Sequence, residues 1–171
     1  LASNVACSCV LFTDGAVRCW GAVLGSMDDP APAADGPEVD IGAPVAKLSL
    51  MPTSGDGCVI TKSERARCWG TAFARYTENS HVGVHSDMGT APADVGDLPL
   101  AGSMVDVAVG SDHGCVLLKG GEVKCWGDRR FGLLGAPGAD VTMKDAVAVD
   151  IGAPAVALAL APGGHGLLGR R

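Results

Sequence analysis

The chain has 171 residues, enough for one domain of ordinary size, and 47% of them are hydrophobic while only 4% are aromatic. A core must therefore be built from Val, Ala and Leu, and 25 Gly and 10 Pro spread between apolar runs call for many turns. A net charge of −6 without a long basic run argues against nucleic acid as a partner, because phosphate neutralisation dominates that affinity.

The first element in the chain is Cys9-Val-Leu-Phe-Thr-Asp-Gly-Ala-Val-Arg-Cys19-Trp20-Gly21. It reads as two short strands around a turn. A three-residue loop, Thr13-Asp14-Gly15, would set Cys9 directly opposite Cys19, and such loops want glycine at the third, left-handed position. Asp40-Ile-Gly-Ala-Pro44 follows, then the apolar Leu48-Ser-Leu50. The second hairpin is Cys58-Val-Ile-Thr-Lys-Ser-Glu-Arg-Ala-Arg-Cys68-Trp69-Gly70, with Glu64 where glycine is expected. A long segment from Thr71 to Gly89 then interrupts the pattern. Met104 to Val109 is the next apolar strand. The third hairpin, Cys115-Val-Leu-Leu-Lys-Gly-Gly-Glu-Val-Lys-Cys125-Trp126-Gly127, restores glycine at position 121. Asp150-Ile-Gly-Ala-Pro154 and Leu158-Ala-Leu160 repeat the earlier spacer, and Gly164-His165-Gly166-Leu167 matches Asp112-His113-Gly114-Cys115.

The period is roughly 50 residues, in the range of propeller blades. Val39 to Ile41 and Val147 to Ile151 supply candidates for a fourth strand, so each copy reads as a four-stranded antiparallel unit. No stretch carries a helical period with caps. The expected fold is all-β: a partial propeller of about three blades plus the start of a fourth. Its expected units are 1–43, 44–102, 103–153 and 154–171. The longest apolar stretch, Ala155 to Ala161 between Pro154 and Pro162, is too short to span a bilayer, so no membrane insertion is expected. The chain starts at Leu1 without a basic and apolar leader, which we read as a piece of a longer protein.

Directly opposed residues of an antiparallel pair lie about 4.5–5.5 Å apart at Cα, within reach of a disulfide. The same spacing in three copies predicts Cys9–Cys19, Cys58–Cys68 and Cys115–Cys125 as cross-strand disulfides. The alternatives are buried thiols in a cytosolic protein or a zinc site, but zinc cysteines usually come as C-x-x-C pairs and none occurs. Disulfides point to the periplasm, the cell surface or the medium. Cys7 is the odd cysteine. It falls where other copies have His113 and His165 and reads as a substitution in a drifting repeat.

The string Gly-x-x-His-x-Cys-x-Leu, then Asp-Gly, then Val-x-Cys-Trp-Gly resembles the regulator of chromosome condensation repeat, in its cysteine-paired bacterial form. Phe131-Gly132-Leu133-Leu134-Gly135 is similar to the family's Gly-Gln-Leu-Gly segment, with Leu133 in place of Gln. The resemblance implies a seven-bladed propeller, which three blades and a start do not close, so the remaining blades of a full-length chain are expected partners. It also implies several functions: nucleotide exchange on a small GTPase, inhibition of a secreted β-lactamase, or binding at a bacterial surface.

No catalytic frame stands out. His81 and His85 lack a third ligand for a metal. Gly164 to Gly169 fits G-x-G-x-x-G, but the repeat explains it and the helix that a dinucleotide site needs has no room. His113 and His165 recur at one repeat position, as a structural hydrogen-bonding group would. Trp20, Trp69 and Trp126 recur beside Gly, which reads as packing between blades. Arg75, Tyr76, Arg129, Arg130 and Phe131 are the candidate binding residues, because they are interface-favoured types in divergent loops. The expectation is a non-enzymatic extracytoplasmic module that binds a protein or a surface polymer and carries no cofactor or metal.

Overall fold

The computed structural model describes residues 1–3, 7–21, 38–51, 57–69, 96–110, 113–129, 132–135, 138 and 140–160. Strands form wherever short apolar runs meet a turn. They are β1 (Ala2–Ser3), β2 (Cys7–Leu11), β3 (Val17–Gly21), β4 (Val45–Leu50), β5 (Gly57–Thr61), β6 (Ala66–Trp69), β7 (Met104–Val109), β8 (His113–Leu118), β9 (Val123–Gly127) and β10 (Val147–Ala148). They make three antiparallel sheets in the orders β1-β2-β3, β4-β5-β6 and β7-β8-β9-β10. No α-helix occurs among the described residues; a 3-10 turn spans Met143–Asp145. The architecture is that of a partial propeller, with three blades arranged in chain order.

The hairpin register follows the cysteines. Cys9 faces Cys19, Cys58 faces Cys68 and Cys115 faces Cys125. All three pairs are disulfides, each with a sequence separation of 10 and a Cα–Cα distance of 4.1 Å. That is slightly closer than the spacing expected above. The reason lies in the ladder: the Val123 carbonyl turns outward to accept from Val149, so Cys125, two residues on, also turns its backbone away from β8. Each cystine therefore sits at a non-hydrogen-bonded pair, where opposed side chains come closest. Cys7 is buried outside these pairs, and it stands opposite Gly21 as His113 stands opposite Gly127.

All three turns have the same frame. Phe12, Thr61 and Leu118 accept from the third loop residue (Gly15, Glu64 or Gly121) and donate to the residue after it. Gly15 and Gly121 take φ of 103° and 94°. Glu64 enters the same left-handed region at φ 61°. The turn expected to suffer from a missing glycine forms nonetheless, because Thr61 Oγ1 accepts from Arg65 N and pairs with Ser63 Oγ.

The fourth strands are shorter than expected. In the third blade β10 covers Val147–Ala148, and in the first only a bridge between Arg18 and Glu38 remains. The Asp-Ile-Gly-Ala-Pro segment ends them: Asp40 Oδ1 accepts from Gly42 N at 2.9 Å and Asp150 Oδ1 accepts from Gly152 N at 3.0 Å. Both glycines then take φ 73°, which turns the chain off the sheet edge.

The core lies between the sheets rather than within one. Cys9, Cys19 and Val17 of the first blade pack with Val45, Leu50, Val59 and Trp69 of the second. Cys58, Cys68 and Ile60 of the second pack with Met104, Val107, Val116 and Trp126 of the third. Cys115, Cys125 and Leu117 of the third pack with Ala155, Leu158 and Leu160. Every blade thus presents its cystine to the following unit, and the second and third present their tryptophan to the preceding one. Middle strands buried on both faces need continuous apolar runs, as in Gly57–Thr61, where all five residues are buried.

Candidate binding rim

Turns, fourth-strand edges and Asp-Ile-Gly-Ala-Pro loops of successive blades gather along one rim. The carbonyl of each third turn residue reaches the next unit: Gly15 accepts from Val45 N, Glu64 from Met104 N and Gly121 from Ala155 N, each at 2.9 Å. Lysines reach in the opposite direction. Lys62 donates to the carbonyls of Asp14 at 2.8 Å and Thr13 at 3.3 Å. Lys119, at the same turn position one blade on, reaches Glu64 Oε1 at 2.9 Å. Hydrogen bonds from Lys119 and then Ser103 hold the Glu64 carboxyl below its ordinary pKa of 4.5. Lys47 and Asp106 stand at equivalent positions of β4 and β7 and lie 4.0 Å apart across the same blade junction.

The edge beside each turn is a shallow groove. In the first blade it is an open volume of about 470 Å³ between Asp14–Val17 and Glu38–Pro44. In the third it is about 320 Å³ between Gly120–Val123 and Val149–Pro154. In the second, Arg65 lies along the edge. Its Nη2 donates to the Leu98 carbonyl at 3.2 Å and its Nη1 to the Gly102 carbonyl at 3.4 Å, while Nε stands 3.5 Å from Asp97 Oδ2. Arg67 adds a 2.8 Å contact to Asp97 and donates to the Ile41 carbonyl at 2.6 Å, tying the second blade's edge to the first.

Residues 104–132 match the family described as Regulator of chromosome condensation (RCC1) repeat. That match falls on the third blade. The likeness of fold extends to the rest of the chain. Human WBSCR16 superimposes with a TM-score of 0.64 at 17% identity, over 93% of this chain and 42% of that one. Prp20p from Saccharomyces cerevisiae, whose structure was reported with its binding properties to Gsp1p and histones, gives 0.57 at 17% identity, over 86% of this chain and 37% of that one. Yeast RCC1 (Prp20) with Kap60 gives 0.60 at 16% identity, over 84% and 35%. The chain spans about two fifths of the length of these solved structures. No curated protein matches it in sequence.

Within the matched segment, Gly114 faces Trp126 across the hairpin, and a Cβ on Gly114 would lie 2.6 Å from the indole Cζ2. Gly57 and Trp69 repeat that pairing with the same 2.6 Å approach. In the first blade Ser8 stands opposite Trp20, and the indole is half-buried. Leu134, from the Gly-Leu-Leu-Gly segment, is fully buried against the third cystine. His113 is buried at the start of β8, and its carbonyl accepts from Gly110 N.

Of the candidate binding residues only Arg129 is described. It is half-buried, its backbone donates to Asp140 Oδ1 at 3.0 Å, and a Cβ on Gly138 would lie 3.1 Å from its Nη1. Arg75, Tyr76, Arg130, Phe131 and His165, with His81 and His85, lie outside the described residues. Among the described residues no cluster of three metal-ligating side chains occurs, and no helix is long and apolar enough to cross a membrane. The groove residues were missed by sequence reasoning. The visible signal was modest: Lys62 and Lys119 recur at one turn position, and Arg65 replaces Ala16 and Glu122.

Proposed function

We propose that this chain is part of a non-enzymatic, extracytoplasmic propeller that binds a protein or a surface polymer through its loops and blade rims. The observation that carries the reading is the recurrence of one disulfide, Cys9–Cys19, Cys58–Cys68 and Cys115–Cys125, at the same register in every blade. Bonds of this kind persist in oxidising compartments and are rare where thiols are kept reduced. The described residues offer repeated blade edges, and loops on a rigid scaffold commonly carry recognition. The structural likeness to Prp20p, which binds other proteins, is compatible with a binding role. Gsp1p and histones are not carried over as partners at 17% identity. Inhibition of a secreted enzyme falls within the same binding reading and is tested by a β-lactamase panel.

The experiment is peptide mapping of protein taken from its native source, alkylated before any reductant is added. The three hairpin pairs, each recovered as a linked peptide, support the reading. Seven alkylated thiols overturn it and leave an intracellular exchange factor as the better account.

A further inference from the structure

The three blades offer an internal comparison at one groove. Val39, Leu98 and Val149 are equivalent, since each donates its N–H to the inner hairpin strand at Val17, Ala66 or Val123. Ala43, Gly102 and Ala153 are equivalent by the same alignment, each two residues before the residue (Val45, Met104 or Ala155) whose N–H donates to the turn carbonyl. In the second blade this frame already holds a ligand-like group. The Arg65 guanidinium bonds the carbonyls of Leu98 and Gly102 and faces the Asp97 carboxylate. In the first blade Ala16 replaces Arg65, and the groove of about 470 Å³ stands open beside it. Val39 and Ala43, at the positions of Leu98 and Gly102, line it, and so does Glu38, at the position of Asp97. Two more carboxylates, Asp14 and Asp40, line the same groove. Each engages one oxygen locally, with Ala16 N or Gly42 N, and a carboxylate accepts at both oxygens.

We infer that the first-blade groove is a receptor site for an arginine side chain of a partner protein, bound on the frame that Arg65 occupies in the second blade. This rests on the reading of the chain as a binding module and names the chemistry its partner presents. A planar guanidinium fits because it donates in fixed directions to several acceptors at once, here two carbonyls and a carboxylate. An ammonium is a compact point charge and does not span them. The net charge of −6 adds long-range attraction for a basic segment. The third-blade groove has Ala148 in place of the edge carboxylate, and its Glu122 already faces Lys124 at 3.7 Å, so it binds the same group more weakly.

The test is an amide-resolved NMR titration of the disulfide-intact chain with acetyl-Gly-Arg-Gly-amide and with matched lysine and citrulline peptides. Saturable shifts at residues 14–17 and 38–44 are expected for the arginine peptide, with affinity about tenfold or more better than for the others. Ala16→Arg should abolish that response, and Arg65 shows that the blade accommodates arginine at this position. Arg65→Ala should open a new response at residues 97–103. Equal binding of arginine and lysine peptides overturns the inference, as do shifts at 14–17 and 38–44 that Ala16→Arg leaves intact. Arginine-specific shifts confined to other residues also overturn it, while leaving the broader binding reading in place.

Discussion

The first and third blades carry the same hairpin, turn and disulfide, yet their tryptophans have different fates. Trp126 is fully buried, with Gly114 opposite and the Cys58–Cys68 bridge of the preceding blade in the same core cluster. Trp20 is half-buried, with Ser8 opposite it. At the turn end of the same hairpin Phe12 is 42% exposed, with the Arg18 guanidinium 5.6 Å from the ring centroid. The difference shows where the energy of a blade resides. The hairpin alone does not bury its tryptophan; the cystine face of a neighbour does. A repeat of this kind is stabilised mainly at its junctions.

Removing each indole is the strongest way to break the comparison. Trp126→Ala should cost about 3–5 kcal/mol, as large core truncations do, whereas Trp20→Ala, at a partly exposed site, should cost less. Urea unfolding followed by circular dichroism measures both. Equal losses would mean that burial between blades is not what distinguishes them.

The disulfides come next. Each closes a loop of the same length, so chain entropy alone predicts nearly equal losses of roughly 2–3 kcal/mol when a pair is replaced by alanines. Packing predicts an order instead, because Cys58–Cys68 packs with the fully buried Met104 and Trp126, whereas Cys115–Cys125 packs with the partly buried Ala155, Leu158 and Leu160. A markedly larger loss for Cys58–Cys68 than for Cys115–Cys125 would assign part of the effect to the core. A smaller change probes the glycines: Gly114→Ala should cost about 1–3 kcal/mol by overpacking against the indole, and Ser8→Ala close to nothing. A neutral Gly114→Ala would show that Trp126 can move aside.

The hairpins are legible in the sequence because each is closed by residues 10 apart and punctuated by a turn. The blade order is legible because the spacer recurs. The rim is not. Arg65 reaches carbonyls 33 and 37 residues away, and a backbone acceptor has no residue type to mark it. The shortness of the fourth strands is hidden for a related reason, since Val39 to Ile41 has strand-like residues and only the Asp40 turn shows where pairing must stop. Glu64 was the clearest local conflict, a non-glycine in a left-handed slot, and its account lies in the Thr61 and Ser63 bonds of its own turn together with a contact from the next blade.

That conflict leads to the smallest predicted effect. Gly15 and Gly121 enter the left-handed region freely, while Glu64 does so against the preference of an L-residue. What Glu64 has and glycine lacks is a carboxylate that accepts from Lys119 across the junction at 2.9 Å. Hydrogen bonding by Lys119 and then Ser103 lowers its pKa from 4.5 in the folded chain. A carboxyl with a depressed folded pKa binds its proton more readily when unfolded, so folding gains stability above the unfolded value and loses it as pH falls through the folded one. Wild type should therefore exceed Glu64→Gln by a constant small margin near neutral pH, and the margin should shrink below about pH 4.5. Because the pair is exposed, added salt should shrink the neutral-pH margin as well. Denaturant midpoints of the two proteins across that range measure it. A margin that ignores both pH and salt would reduce the latch to an incidental surface contact, and the left-handed Glu64 would then have no compensation beyond the Thr61 and Ser63 bonds of its own turn.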